Sequence, residues 1–127
     1  QIISERIEIA ETLTDMVKGL PGLTPPVVRE GCKHVFYVWA LKVPTLRGLF
    51  VHRMQTLGMP LREGYVDPLY RLPAFKKWAR PCPVAERMHD KELILWENCA
   101  YSPTSLQLTQ IREAFTRTHD EIGRICS

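Results

Sequence analysis

HVFYVWALKV, residues 34–43, is the stretch whose reading decides the fold. It is rich in β-branched and aromatic residues and apolar on both alternating faces, the composition of a strand covered on both sides. A central strand is therefore expected here, ended by Pro44. Upstream, Ile3, Ile7, Ala10, Leu13, Val17 and Leu20 recur at three- and four-residue steps, while Glu5, Glu8, Glu11 and Asp15 fill the other faces. That spacing predicts an amphipathic helix, stopped by Gly19-Leu20-Pro21-Gly22. Pro25-Pro26 and Val27-Val28 make 23–31 an extended connector with room for one short edge strand.

Downstream, Thr45 offers a cap for a helix that buries Leu46, Leu49, Phe50, Met54 and Leu57. Gly58 stands where a helix end favours a left-handed residue. Short strands are expected over 62–66 and 92–99. Thr104-Ser105-Leu106-Gln107 has capping-box spacing and opens a last helix with Leu108, Ile111, Phe115, Ile122 and Ile125 on one face. Few strands in mixed order with helices predict an α+β fold, a small, largely antiparallel sheet with helices packed on it. The 127 residues are expected to form a single domain.

Between the later strands lies GYVDPLYRLPAFKKWARPCPVAE, residues 64–86, with four of the chain's ten prolines. Proline lacks the backbone donor and clashes with the preceding turn, so no long helix can form. A stiffened loop is expected, holding Tyr65, Tyr70, Arg71 and Phe75 in place. Pro73 and Pro83 are placed to open short helices over 74–78 and 84–89.

Hydrophobic content of 45%, charged content of 24% and a net charge of +3 are those of an ordinary globular protein. Basic residues are interspersed with acids, which argues against a nucleic-acid partner. The apolar run 35–41 is far too short to span a bilayer, and no leader pattern opens the chain. A cytoplasmic protein with reduced, mostly buried thiols at Cys32, Cys82, Cys99 and Cys126 is expected. No CxxC pair occurs, so Cys32 and His34 do not make a zinc site. Because the chain opens at Gln1 directly in a helical pattern, a fragment or processed product is expected.

Nucleophile elbow, Walker loop, dinucleotide fingerprint and HExxH are all missing from the sequence. Asp67, Glu86 and Asp90 suit caps or surface roles better than acid–base work. Glu86 in particular follows Pro83 into a short helix, where free amides and the dipole favour a carboxylate. His34 reads as a half-buried hydrogen-bonding residue, or else as a substrate contact. His52, His89 and His119 read as helix-surface positions. Trp39 and Trp96 belong to the core, and Trp78 is a helix-face anchor. Tyr65 and Tyr70 are either core aromatics with a polar tip or, with Arg71, what a sugar or phosphate would meet. The residues themselves describe a module without its own reaction centre.

HVFYVWALKV, RGLFVHRMQTLGM from Arg47, GYVDPLYRLPAF, CPVAER and LQLTQIREAF stand in collinear order over 7–115. Together they resemble the C-terminal small domain of the DegT/DnrJ/StrS aminotransferases, pyridoxal-phosphate enzymes acting mainly on keto sugars. The resemblance implies the small domain of a fold-type I enzyme, whose N-terminal large domain carries the Schiff-base lysine and the coenzyme. None of Lys18, Lys33, Lys42, Lys76, Lys77 and Lys91 matches that lysine, so no coenzyme is expected on this chain alone. It also implies a homodimer, a nucleotide sugar as substrate and an amino-acid donor, usually glutamate. The family's substrate loop falls on Tyr65, Pro68 and Tyr70, though many members have histidine where Tyr70 stands. Its supporting elements fall on Arg47, Leu57 and Gly58, with Met59 replacing the usual Ile or Val, and on Pro83 and Glu86. Tyr65, Tyr70, Arg71 and His34 are thus the substrate-contact candidates, with Arg47, Pro68 and Glu86 supporting them. A dehydratase built on the same scaffold is a variant of this reading. The alternative is a free-standing, non-catalytic module that binds a sugar nucleotide or a protein partner. An exposed apolar patch and self-association are expected of a domain taken from a larger dimer.

Overall fold

A computed structural model describes residues 1–97 and 102–127. In chain order the elements are α1 (Ile2–Val17), β1 (Trp39–Lys42), α2 (Arg47–Thr56), β2 (Arg62–Glu63), α3 (Pro83–Arg87), β3 (Leu93–Trp96) and α4 (Ser105–Cys126). The three strands form one antiparallel sheet in the order β1-β3-β2. The α+β expectation is met.

Trp39 and Leu41 of β1 stand opposite Trp96 and Ile94 of β3, and all four side chains are buried in the core cluster. Phe115 of α4 joins the layers. Its ring lies edge-on to Trp39 at 6.1 Å between centroids and tilted against Phe50 of α2 at 6.2 Å. Helix α1 adds Ala10, Leu13 and Val17 to the same core, and Thr14 Oγ1 accepts the Trp39 indole N–H at 3.1 Å.

The long strand predicted over 34–43 shrinks to its second half, and β3 takes the central place. Phe36 adopts φ 44°, which no strand accepts, and Tyr37 is 68% exposed. The outer edge of β1 is covered at one point, where Thr24 and Lys42 exchange both backbone hydrogen bonds at 3.1 and 3.0 Å. The expected edge strand of the connector is reduced to that bridge.

Helix α2 begins one residue later than the Thr45 cap predicted. Leu46, at φ 50°, occupies the cap position with no side-chain bond. Gly58 is left-handed at φ 86° as expected. The capping box at Thr104 is complete: its side chain accepts from Gln107 N–H at 3.3 Å, and Gln107 Oε1 accepts from Thr104 N–H at 2.8 Å. Ile3 and Ile125, assigned to buried faces, lie at the fraying ends of α1 and α4 and are exposed. The end of the strand expected over 92–99, with Cys99, lies outside the described residues.

Truncating the ring that joins three elements should cost far more than removing the cap. Phe115→Ala is expected to lower unfolding stability by about 4 kcal/mol, and Thr104→Ala by about 1 kcal/mol. Urea denaturation of both variants checks the ranking.

Candidate functional site

Residues 64–92 form an arm that leaves the sheet after β2 and returns into β3, and apart from Gly64 at its base none of its residues is buried. The neck is closed by backbone. Gly64 N–H donates to Leu93 C=O at 2.8 Å, and Gly64 has φ 62°. A Cβ at Gly64 would come within 3.2 Å of His89 Nε2 and of the His89 carbonyl. Only glycine gives both the left-handed turn and that approach.

Arg47, at the start of α2, secures the neck from below. Its Nε donates to Glu63 Oε2 at 3.0 Å, and Nη2 lies 2.9 Å from the same oxygen. Nη1 donates to the carbonyls of His89 at 2.7 Å and Leu93 at 3.2 Å, and Nη2 to that of Asp90 at 2.7 Å. The side chain is only 11% exposed. Gly48 lets Glu63 come this close, since a Cβ there would stand 3.3 Å from Glu63 Oε1.

Within the arm, Pro73 and Pro83 each open a helical turn as predicted: a 3₁₀ turn over Pro73–Trp78 and α3. Helix α3 passes directly into a single π turn, Met88–Glu92. Glu86 Oε1 accepts from Cys82 N–H at 3.0 Å, the amide-capping role expected of it, and from Tyr70 O–H, also at 3.0 Å. The Cys82 amide and then the Tyr70 hydroxyl hold the Glu86 carboxyl below its usual range, while desolvation and then Glu86 push the Tyr70 phenol up. Arg71 grips Asp90 with both nitrogens at 2.7 Å. Arg71 and then His89 hold the Asp90 carboxyl well below the carboxylate range, and Asp90 in turn keeps Arg71 firmly charged.

The structure therefore joins Tyr70, Arg71 and Glu86 in one polar network, with Pro68 opening the 3₁₀ turn that carries Tyr70 and Arg71. Tyr65 enters through its carbonyl, 3.4 Å from His89 Nε2. The residue is 45% exposed. Among the described residues the Tyr65 hydroxyl has no hydrogen-bond partner. His34 is not part of the network. It is exposed rather than half-buried, its Nδ1 accepts from Phe36 N–H at 2.9 Å, and the two rings lie 4.2 Å apart.

Two histidines assigned to helix surfaces are engaged. His89 is only 20% exposed and contacts Asp90, and His119 Nε2 bonds the Pro21 carbonyl at 2.8 Å. His52 is exposed as expected. The Met-His-Asp run at 88–90 held the missed signal, because a histidine beside an acid at a helix end is well placed to bridge. Trp78, expected to anchor a helix face, is 61% exposed, with Lys77 Nζ 4.1 Å above its ring. Three thiols expected to be buried, Cys32, Cys82 and Cys126, are exposed, since they lie in a loop, the proline-flanked arm and the last turn of α4. A cleft of about 630 Å³ opens between Gly58, Pro60, Trp96 and Gln107, and no arm residue lines it. Among the described residues no cluster of His, Cys, Asp and Glu is placed to hold a metal, and no helix is long and apolar enough to cross a membrane.

Comparison with solved structures shows what this architecture is. The aminotransferase TlmJ from Streptoalloteichus hindustanus superposes with a TM-score of 0.74 at 18% identity, over 95% of this chain and 32% of its own. The fold is shared with DegT-type aminotransferases. A DegT DnrJ EryC1 StrS aminotransferase from Brucella abortus matches at 0.74 and 19% identity over 92% of this chain and 31% of that one. PseC of Helicobacter pylori, an aminotransferase involved in the biosynthesis of pseudoaminic acid, matches at 0.71 and 18% identity over 94% and 33%. The chain spans about a third of the length of these solved structures. No protein-family model and no curated protein matches the sequence. The resemblance stated from the sequence motifs and the fold agree.

Two outcomes follow from the neck and the network. Arg47→Lys offers one donor centre in place of a fork and leaves carbonyls at the neck unpaired. Its expected cost in urea unfolding is about 3 kcal/mol. Asp90 and Glu86 have lowered pKa values in the folded arm, so their stabilisation is complete above the unfolded carboxylate value of about 4 and is lost as pH falls below it. Hydrogen-exchange protection factors of arm amides, which take out the intrinsic pH dependence of exchange, should fall on acidification below about pH 4. Asp90→Asn should blunt that response, whereas equal acid sensitivity in both proteins would contradict the assignment.

Proposed function

We propose that this chain is the C-terminal small domain of a larger pyridoxal-phosphate aminotransferase that acts on a keto sugar, nucleotide-linked. The observation that carries the reading is the shared fold, which covers nearly all of this chain and about a third of each aminotransferase. The residues present do not fit the coenzyme. Linking it requires an enclosed amine, but Lys18, Lys33, Lys76, Lys77 and Lys91 are exposed, and the half-buried Lys42 faces Glu92 at 3.8 Å. The missing N-terminal large domain would hold it, in a cytoplasmic homodimer that takes its amino group from an amino-acid donor.

In this reading the arm forms a wall over the reaction centre, positioning the sugar and excluding water. Tyr65 makes the direct sugar contact, because the residue is 45% exposed and its hydroxyl has no hydrogen-bond partner among the described residues. Tyr70 keeps acceptor capacity for the same ligand, although its proton is given to Glu86. Arg71 is held by Asp90, so it offers the sugar only the N–H groups that Asp90 leaves free. His34 lies apart and contributes only if the larger enzyme brings the ligand across to it. The exposed apolar residues of the arm, Leu69, Phe75, Trp78 and Val84 among them, pack against the rest of the enzyme. That uncovered face also supports self-association of the isolated chain.

In the full-length enzyme, Tyr65→Phe should raise the KM for the sugar roughly three- to tenfold, the worth of one hydrogen bond, with little change in the KM for the amino donor. Tyr70→Phe should act in the same direction but less. Equal effects on both substrates would remove the tyrosines from the sugar site.

A further inference from the structure

We infer that the tip of the arm docks into an acid-lined groove between α1 and the start of α4 on a second copy of this chain. The tip, residues 68–82, holds Arg71, Lys76, Lys77 and Arg80 and contains no acid. Arg71 is paired with Asp90. Among the described residues Lys76, Lys77 and Arg80 have no carboxylate partner, and all three are exposed. Lys77 Nζ instead stands 4.1 Å over the Trp78 ring, and the Phe75 ring lies 6.4 Å from it. Trp78 is 61% exposed and Phe75 42%. One short turn opened by Pro73 thus presents two rings and a one-signed charge.

The groove has the opposite character. It measures about 210 Å³, with Ile9, Pro103 and Leu108 as its apolar lining and Glu5 and Glu8 as its charge. Glu8 is exposed and Glu5 half-buried, and among the described residues neither carboxylate has a cationic partner. No cation lines the groove. Over its whole length α1 carries four acids, Glu5, Glu8, Glu11 and Asp15, against Arg6 alone. A slot that is apolar inside and negative in charge suits an indole flanked by ammonium groups. Burial of the ring supplies affinity, and the lysine–glutamate pairs supply register and partner choice. One chain leaves both surfaces open, so the complement of each stands on another copy. If two copies exchange tips, both contacts form at once and the pair closes.

Sedimentation velocity of the 127-residue chain over a range of concentrations tests this. The unmodified chain should associate, and 1 M salt, which screens charge within about 3 Å, should weaken the association. Lys76→Glu with Lys77→Glu should weaken it roughly tenfold or more, and so should Glu5→Lys with Glu8→Lys. An equimolar mixture of these two double variants should associate again, because each tip then meets a groove of opposite charge. Trp78→Ala should also cost roughly tenfold. Trp39 and Trp96 are buried, so acrylamide quenching reports chiefly on Trp78, and it should fall on association. A chain monomeric at every concentration, or a mixture no better than its components, would overturn the inference and leave the groove to a basic segment of another protein. Association indifferent to both charge reversals would overturn it too, and would place self-association on the arm's apolar face alone. Should the groove variant fail to fold, the tip variant and Trp78→Ala still decide the matter. The inference does not rest on the proposed function: a full-length enzyme that binds no sugar would count against that reading and leave these measurements as they are.

Discussion

One guanidinium holds the arm to the body of the protein. Arg47 is the first residue of α2, and it reaches a carboxylate on β2 and three carbonyls at the arm's return. Two of them, those of His89 and Asp90, belong to the π turn that ends the arm's helix, where the last C=O groups lack intrahelical partners, and the third, that of Leu93 in β3, is shared with Gly64 N–H. A planar fork with five donors can serve several acceptors at once, which an ammonium on a flexible stem does less well. The left-handed Leu46 just before it re-aims the chain so that α2 starts with this side chain pointing at the neck. Strain at one residue is thus coupled to the closure of a long loop.

Beyond the neck the arm is ordered by different physics from the core. The body is held by buried rings and aliphatic side chains around Phe115. The arm buries almost nothing, so charge-assisted bonds among Tyr70, Glu86, Arg71, Asp90 and His89 replace burial. Individually such exposed pairs stabilise little. Their effect here comes from sharing: Asp90 serves Arg71 and His89, and Glu86 serves Tyr70 and the Cys82 amide. Proline adds to this by lowering the entropy of the unfolded arm.

Periodicity made the helices legible, because α1, α2 and α4 bury stripes that repeat every three or four residues. The capping box at Thr104 and the left-handed Gly58 were legible for the same local reason. Residues 34–43 misled because apolar, aromatic composition cannot say where pairing stops. His34 and Phe36 form a local turn that removes the first half from the sheet, and β3 takes the centre by pairing on both edges. At the candidate site, the capping role of Glu86 was readable from Pro83 and the helix start. Arg47 was marked as supporting only through the family resemblance, since its partners are far away in sequence. The Arg71–Asp90 pair was not readable, because an i,i+19 ion pair leaves no periodic trace, and the His89–Asp90 contact left only the adjacency of the two residues.

The positions of the two tyrosines follow from this layout. Tyr65 comes directly after Gly64, so its backbone is fixed relative to the sheet through the neck and His89. Tyr70 lies farther out, and its hydroxyl is tied to Glu86, which is itself part of the arm. One ring therefore keeps register with the rigid body, and the other with the arm. A ligand held between them would bridge the two, and would add to the arm the restraint that its own lack of burial leaves out.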